Sequence, residues 1–226
     1  MSETIVKLSA AEVARLIDHT LLKPDATRAQ IETLCAEART HHFGAVCVNG
    51  THVPLARHAL EDSGVKVAAV VGFPLGAMSS DAKRYETEAA VDDGAQEIDL
   101  VLSLGRLKDG DDAFVLRELR DVVEAADERP VKVILETCLL TEAEKIRACR
   151  LVVESGAHFV KTSTGFSSGG ATAADVQLMR ATVGPDFGIK ASGGIRDAAT
   201  AQAMIAAGAT RLGTSSGVAI VQGWPV

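Results

Sequence analysis

A lysine inside a short apolar segment is the residue of this sequence that most clearly suggests chemistry. Phe159-Val160-Lys161 has the pattern of a β-strand, and the hydroxyl and glycine residues Thr162-Ser163-Thr164-Gly165 follow it. Strand interiors disfavour lysine, and a buried ammonium group must find an anion or lose its proton. A neutral lysine amine is a nucleophile that forms Schiff bases with carbonyl compounds. Taken alone, the segment is more simply explained by an exposed lysine, but two other residues favour the nucleophile.

Those two residues are Asp99 and Lys190, which also lie between apolar neighbours in short strand-like segments. Because successive side chains of a strand point to opposite faces, apolar neighbours that pack on helices would turn Asp99, Lys161 and Lys190 inward. Lysines on consecutive strands lie roughly 5 Å apart, and their mutual repulsion makes one of them lose its proton more easily. Asp99 would partner the remaining cation and relay protons. A buried Lys–Asp pair without chemistry is the alternative, but it leaves the second lysine unexplained.

Helix-start signals recur between the strand-like segments. Thr27 with Gln30 and Thr141 with Glu144 match the capping box, in which each side chain bonds the other residue's backbone N–H. Asp197 precedes an alanine-rich helical segment. These signals predict that helices alternate with strands along the chain.

Eight strands are predicted, from Leu16-Ile17-Asp18-His19 to Arg211-Leu212-Gly213, and a helical segment follows each of the first seven. Alternating β and α segments with short links indicate parallel strands. The prediction is an α/β fold, a (β/α)8 TIM barrel formed by residues 1–226 as a single domain. A doubly wound open sheet is the alternative, but no GxGxxG motif follows the first strand.

Small residues follow the last two strands, where barrels often bind phosphate. Gly193-Gly194 and Ser215-Ser216 would bring backbone N–H groups and hydroxyls close to an anion. Ordinary turns are the alternative explanation. Cys47 could line the pocket or be a small buried apolar residue, and Glu136 is equally open.

Composition excludes several functional classes. The chain has 226 residues, of which 47% are hydrophobic, and a net charge of −7, which argues against a nucleic-acid partner. No apolar run reaches the roughly 18 residues of a membrane span. The four cysteines show no disulfide or zinc spacing, and the N-terminus shows no secretory signal, which favours the cytoplasm. The only paired histidines are the adjacent His41-His42, so no metal site is predicted.

The sequence resembles the deoxyribose-phosphate aldolase family, whose members are class I aldolases that use a lysine Schiff base. The resemblance extends from about Leu16 to Ile220, and its motifs are specific in combination. They are Ile17-Asp18-His19-Thr20-Leu21-Leu22-Lys23-Pro24, Val46-Cys47-Val48-Asn49, Gly72-Phe73-Pro74-Leu75-Gly76, Glu97-Ile98-Asp99-Leu100-Val101, Lys132-Val133-Ile134-Leu135-Glu136-Thr137, Phe159-Val160-Lys161-Thr162-Ser163-Thr164-Gly165-Phe166, Lys190-Ala191-Ser192-Gly193-Gly194-Ile195-Arg196 and Gly213-Thr214-Ser215-Ser216-Gly217.

The resemblance implies an aldehyde-lyase that reversibly cleaves 2-deoxy-D-ribose 5-phosphate to D-glyceraldehyde 3-phosphate and acetaldehyde, in deoxyribose phosphate catabolism. It implies no metal or other cofactor, no nucleic-acid or membrane partner, and a cytoplasmic homo-oligomer, either a dimer or a tetramer. Lys161 would form the Schiff base, Lys190 would tune it, and Asp99 would donate and accept protons. The implied substrate-binding residues are Asp18, Thr20, Leu22, Cys47, Thr164, Gly165, Gly193, Gly194, Gly213, Ser215 and Ser216.

Two departures from the family pattern matter. Asn49-Gly50-Thr51-His52 replaces a more usual Asn-Pro start, so a looser loop is expected there. The chain also lacks the terminal tyrosine that helps proton transfer in some members, and its only tyrosine is Tyr85. Gly223 and Pro225 are expected to prevent a regular helix in the tail. Water ordered by Asp99 and Lys190 is therefore predicted to move the proton.

Two other functions fit the same residues. The first is a different phosphosugar barrel enzyme, either an isomerase that uses carboxylates or another Schiff-base aldolase. The second is a phosphosugar-binding sensor that kept the pocket and lost turnover. The presence of all three of Asp99, Lys161 and Lys190 argues against the sensor.

Overall fold

Eight parallel strands close into a barrel in the computed structural model, which describes residues 8–225. The strands pair in chain order, and the last strand pairs with the first. This arrangement confirms the predicted (β/α)8 barrel. The strands are β1 (Ile17–Leu21), β2 (Ala45–Val48), β3 (Lys66–Val71), β4 (Glu97–Val101), β5 (Val131–Ile134), β6 (Phe159–Lys161), β7 (Gly188–Ser192) and β8 (Arg211–Thr214).

Helices cover the outside of the barrel. They are α1 (Ala10–Ala14), α2 (Arg28–His41), α3 (Val53–Ala59), α4 (Ser80–Asp92), α5 (Leu104–Lys108), α6 (Asp112–Ala125), α7 (Glu142–Ser155), α8 (Ala173–Val183), α9 (Ala198–Ala206) and α10 (Gly217–Gln222). Short 3-10 helices occupy Gly50–His52 and Thr137–Leu139. Within residues 8–225, no helix combines the length and hydropathy needed to cross a bilayer.

The predicted helix starts are confirmed. Capping boxes with both reciprocal bonds join Thr27 to Gln30 at α2 and Thr141 to Glu144 at α7. Asp197 caps α9 by accepting a 2.7 Å hydrogen bond from the backbone N–H of Thr200. Such caps typically contribute about 1 kcal/mol each. They fix where the chain leaves each loop and enters a helix.

The main core lies between the strands and the helices. Ile98, Leu100, Val160 and Ile189 are completely buried there, as strand alternation predicts. Their burial against the helices turns the intervening residues of the same strands toward the barrel interior. A small second cluster contains Leu22, Cys47, Ala68 and Val70, with Phe73 packed against it.

The prediction of a tail without regular helix was wrong. Gly217–Gln222 form α10, and the chain turns only after it, at Gly223. Trp224 then donates a 2.8 Å hydrogen bond from its indole Nε1 to the carbonyl of Leu8, so the tail packs against the start of the described chain. The helix-breaking residues come too late to prevent a turn and a half of helix.

The loop after β2 is also more regular than expected. Gly50–His52 form a 3-10 helix that leads directly into α3. The Asn49 side chain donates a 3.3 Å hydrogen bond to the carbonyl of Leu22, which ties this loop to the end of β1.

Candidate active site

The structure brings Asp99, Lys161 and Lys190 together inside the barrel. Lys161 and Lys190 occupy directly paired positions of β6 and β7. Oδ2 of Asp99 lies 2.7 Å from Nζ of Lys161 and 2.7 Å from Nζ of Lys190. All three side chains are buried. One carboxylate oxygen therefore contacts two amines that would otherwise repel each other.

Lys132 is a third buried lysine of this group, and the sequence analysis missed it. It occupies the position of β5 paired with Asp99, and its Nζ lies 2.9 Å from Asp99 Oδ1. The alternation rule could have found it, because Val131 and Val133 pack in the outer core and so turn Lys132 inward.

Two further charged residues, Glu97 and Arg211, complete the interior and were also missed. The guanidinium of Arg211 donates to Asp18 Oδ1 at 2.9 Å and to Glu97 Oε1 at 3.0 Å. The other oxygen of Asp18 binds Nζ of Lys190. The predicted pocket residue Asp18 is thus completely buried, and ion pairs occupy both of its oxygens.

The surroundings of the two paired lysines shift their pKa values in opposite directions. Burial lowers the pKa of Lys161, and the Lys190 ammonium adds to this effect against the opposing pull of Asp99. Burial acts on Lys190 too, but Asp18 and Asp99 outweigh it and raise the pKa of Lys190 above its usual range. Lys161 is therefore the amine that loses its proton more readily, while Lys190 stays charged.

Asp99 is held as a carboxylate. Burial alone would favour its protonation, but Lys132, Lys161 and Lys190 together keep its pKa well below the usual range. Its two oxygens accept from the amino groups of three lysines, Oδ1 from Lys132 and Oδ2 from the other two.

Gly213 leaves room for Lys190. A Cβ atom at this position would lie 2.9 Å from Cε of Lys190 and 2.9 Å from Cβ of Ser192, closer than such atoms approach. The missing side chain therefore lets the lysine extend across β8 toward Asp18. The contact of Gly213 with substrate, which the family resemblance implies, stays a prediction.

Cys47 lies deep inside the barrel beside the charged groups. It is completely buried, and its Sγ lies 3.9 Å from Asp99 Oδ2. Burial raises the pKa of the thiol to about 11, so it is uncharged near neutral pH. Thr20 occupies the position of β1 paired with Cys47, and Leu22 packs in the same small cluster.

Thr164 and Glu136 join the loops after β5 and β6. The Glu136 carboxylate accepts hydrogen bonds from the hydroxyl and, at 3.3 Å, from the backbone N–H of Thr164. Glu136 itself adopts a left-handed backbone conformation with a φ of 51°. These contacts fix the side chain of Thr164, a predicted pocket residue.

The predicted anion-binding residues lie at the carboxyl ends of β6, β7 and β8. Gly165, Gly193 and Gly194 have φ angles of 83°, 87° and 82°, which side chains rarely adopt. The loops carrying them touch, because the Ala171 N–H donates to the carbonyl of Gly193 at 3.0 Å. Ser215 is exposed, and Ser216 is the residue just before α10.

Two further observations concern metal ligands and a surface groove. Among residues 8–225, no three His, Cys, Asp or Glu side chains are grouped as metal ligands would be. An open groove of about 690 Å³ on the outer surface, near α4 and α6, is lined by none of the predicted site residues.

Sequence comparisons agree with this geometry. The profile of the DeoC/LacD aldolase family matches residues 12–223. A deoxyribose-phosphate aldolase from Geobacillus sp. (strain WCH70) is 58% identical over 93% of this chain and 95% of its own length. One from Bdellovibrio bacteriovorus is 56% identical over 95% of this chain and 98% of its own length.

Solved structures give the same result. The aldolase named QR15 is 42% identical, with a TM-score of 0.89 over 93% of this chain and 94% of its own. The tetrameric deoxyribose phosphate aldolase from Aeropyrum pernix is 33% identical, with a TM-score of 0.90 over 96% of this chain and 92% of its own. By its sequence and its barrel, the chain belongs to the DeoC/LacD family of aldolases.

Proposed function

We propose that this protein reversibly cleaves 2-deoxy-D-ribose 5-phosphate to D-glyceraldehyde 3-phosphate and acetaldehyde through a Schiff base on Lys161. The names of its close relatives support the substrate. The observation that carries the proposal is the arrangement of Lys161, a buried amine of lowered pKa that shares Asp99 Oδ2 with Lys190 at 2.7 Å. Such an amine adds to carbonyl groups near neutral pH.

The covalent steps follow from that amine. Nζ of Lys161 adds to C1 of the open-chain sugar, and loss of water leaves an iminium ion. The iminium draws in the electrons of the C2–C3 bond, which breaks while the C3 hydroxyl gives up its proton. D-Glyceraldehyde 3-phosphate leaves, and the remaining enamine takes up a proton at its terminal carbon. Water then hydrolyses the iminium ion, which releases acetaldehyde and the free amine.

Asp99 and Lys190 handle the protons in this proposal. Once Nζ of Lys161 is the nitrogen of an iminium ion, it has fewer N–H groups to donate to Asp99. Asp99 Oδ2 can then accept a proton from a water molecule beside it. Lys190 remains cationic and keeps Asp99 ionised. Water ordered by these two residues moves the proton of the acetaldehyde methyl group, since the hydroxyl-bearing side chain of Tyr85 lies on α4 and is exposed.

The remaining contacts divide between the sugar phosphate and the pocket wall. The backbone and hydroxyl groups that hold the phosphate are those of Gly165, Gly193, Gly194, Ser215 and Ser216. The residues that surround the carbon chain are Asp18, Thr20, Leu22, Cys47, Thr164 and Gly213.

Reductive trapping tests the proposal. Acetaldehyde with borohydride should inactivate the enzyme irreversibly and leave an ethyl group on Lys161, which peptide mass spectrometry locates. The Lys161→Arg variant should keep its fold and gain no label, because a guanidinium does not form the Schiff base. A label on Lys190 or Lys132 in the parent enzyme would show that another amine is the nucleophile.

We also propose that the enzyme acts in the cytoplasm as a homo-oligomer on a free phosphosugar, without nucleic acid, membrane or cofactor. All four cysteines lie within residues 8–225 and none is in a disulfide, which fits a reducing compartment. The relative from Aeropyrum pernix is described as tetrameric. Light scattering during gel filtration would measure the oligomeric state, and a chelator should leave activity unchanged.

A further inference from the structure

Six charged side chains inside the barrel form a closed ring in which cations and anions alternate. Following the contacts from one residue to the next returns to the starting point. We call this set the charge ring; its members in order are Arg211, Glu97, Lys132, Asp99, Lys190 and Asp18.

Every cation of the charge ring touches at least two carboxylates, and Lys132 also lies 3.8 Å from Asp18 Oδ2 across the ring. Nζ of Lys132 lies 2.5 Å from Glu97 Oε2, an ion contact without hydrogen-bond geometry, and 2.9 Å from Asp99 Oδ1. Arg211 reaches Glu97 at 3.0 Å and Asp18 at 2.9 Å, and Lys190 binds Asp18 and Asp99. Three cations and three anions leave the charge ring with no net charge.

Lys161 lies outside the charge ring and touches it at one point. Within the described residues its only ion pair is with Asp99 Oδ2, the oxygen that also accepts from Lys190. A protonated Lys161 would add an uncompensated positive charge to a buried site, which is unfavourable. A neutral Lys161 leaves the interior balanced.

We propose that Glu97 and Arg211 are positioning residues that make Lys161 the neutral amine by completing the charge ring. Neither residue has an ion pair with Lys161, and they act on it through Lys132 and Asp18. The proposal rests on the proposed function in one respect, which is that Lys161 is the nucleophile.

The shifts of the neighbouring groups agree with this role. Burial opposes the charge of Lys132, Lys190 and Arg211, but the carboxylates outweigh it and raise the pKa of all three. Lys161 alone among these cations has a lowered pKa. The groups that face Lys161 are Asp99 from β4, Lys190 from β7 and the Cys47 thiol from β2, and burial keeps that thiol neutral by raising its pKa to about 11.

Removing an anion and removing a cation from the charge ring should shift the pKa of Lys161 in opposite directions. Glu97→Gln removes an anion, so the interior becomes more positive and Lys161 loses its proton more readily. Arg211→Met removes a cation, so Lys161 holds its proton more tightly. We expect the pH midpoint of Lys161 reactivity to fall by about one unit in the first variant and to rise by about one unit in the second.

The readout is the rate of ethyl-group incorporation at Lys161 from acetaldehyde and cyanoborohydride, measured from pH 5 to 9 by mass spectrometry. Structural damage alone would slow trapping without moving its midpoint in opposite directions. Arg211→Lys keeps the charge and should retain the parent midpoint. The double variant Glu97→Gln/Arg211→Met restores balance, so its midpoint should lie between those of the single variants, close to the parent.

Glu118→Gln is the matched control. Glu118 is a completely buried carboxylate on α6 whose Oε1 lies 2.8 Å from Nζ of Lys83, outside the barrel. Its loss should reduce stability without moving the midpoint of trapping.

The outcomes separate the two proposals. Absence of label at Lys161 in the parent enzyme contradicts the proposed function. Suppose that Lys161 is labelled with the same pH midpoint in Glu97→Gln, Arg211→Met and the parent. That result overturns the proposed role of the charge ring and leaves the proposed function intact. Shifts of the same sign in both single variants also overturn it. If one single variant does not fold, the other decides the matter by the sign of its shift.

Discussion

Lys161 and Lys190 carry identical side chains at paired positions of β6 and β7, yet their pKa values move in opposite directions. The difference lies in the carboxylates within reach. Lys190 binds Asp18 and Asp99, whereas Lys161 shares only Asp99. At this scale, the number of anionic partners decides which lysine loses its proton more readily and which one stays charged.

Replacing Lys190 tests its electrostatic effect. Lys190→Leu removes the positive charge that lowers the pKa of Lys161, so Lys161 should be more protonated at pH 7. We expect lower turnover at pH 7 and a pH–rate profile whose acidic limb lies at higher pH. Lys83→Met, which removes a buried lysine outside the barrel, should leave that limb in place. An unchanged profile in Lys190→Leu would contradict the tuning role.

A methyl group at Gly213 tests how closely Lys190 must be placed. The Cβ atom of Gly213→Ala would meet Lys190 Cε at 2.9 Å, so the ammonium group must move away from Asp18 and Asp99. We expect kcat to fall about 10-fold to 100-fold, with a smaller change in KM. Gly50→Ala is the control, since nothing lies within 4 Å of the added Cβ there. Equal kinetics in the two variants would show that Lys190 tolerates the shift.

Strand alternation predicted the inward direction of Asp99, Lys161 and Lys190, and each of them does lie inside the barrel. The same rule applies to Lys132 and Arg211, but alternation gives only the face on which a side chain lies. Which inward side chains touch depends on the register between strands, such as the pairing of Asp99 with Lys132. Register is not visible in one strand's sequence, so the alternating contacts were not predictable.

Among the elements, α4 determines what Tyr85 can do. Tyr85 lies in the middle of α4 and is 68% exposed, so its hydroxyl faces solvent and not the lysines. Tyr85→Phe should keep the exchange of acetaldehyde methyl protons with heavy water within about threefold of the parent rate, because a positioned acid–base group contributes 10²–10⁴. NMR measures the exchange. A hundredfold loss of the exchange rate with the fold intact would show that the Tyr85 phenol transfers the proton.

The loops after β7 and β8 carry the proposed phosphate contact. Ser216→Glu places a carboxylate just before α10, where it would repel a phosphate dianion. We expect a large rise in KM for 2-deoxy-D-ribose 5-phosphate and a small change for unphosphorylated 2-deoxy-D-ribose. The second substrate is the control, and equal losses on both would place the phosphate elsewhere.

Element boundaries were predictable where a local signal exists. Thr27, Thr141 and Asp197 mark helix starts through hydrogen bonds within four residues, so the sequence alone indicates them. The tail was predicted wrongly because Gly223 and Pro225 follow the last residue of α10, and the packing of the tail comes from a distant contact. Trp224 binds the carbonyl of Leu8, which lies 216 residues earlier in the chain. A contact of that range leaves no local pattern.

For the whole molecule, the buried carboxylates predict sensitivity to acid. Burial alone would raise the pKa of Asp18 and Asp99, but the surrounding cations lower the pKa of both below the usual range of an aspartate. A lowered folded-state pKa stabilises the protein above about pH 4 and loses that contribution as the pH falls further. Thermal unfolding followed by circular dichroism should therefore show a steep fall of Tm below about pH 4.

Variants separate this effect from that of the exposed helix caps. Glu144 and Asp197 also have lowered pKa values, because backbone N–H groups bond them, and both contribute in the same direction. Asp18→Asn should unfold at a lower temperature at pH 7 and show a shallower fall on acidification. A curve parallel to that of the parent would assign the acid sensitivity to the caps.

Closure of the barrel has a consequence for the nascent chain. Arg211 binds Asp18 across 193 residues of sequence, so this contact cannot form until the ribosome has released β8. Up to that moment Asp18 and Glu97 lack the guanidinium that joins them, and the charge ring stays open. A chain without β8 therefore carries a lysine at position 161 that no closed charge ring keeps neutral. If the charge ring sets the pKa of Lys161 as proposed, the reactive amine arises only when the last strand pairs with the first.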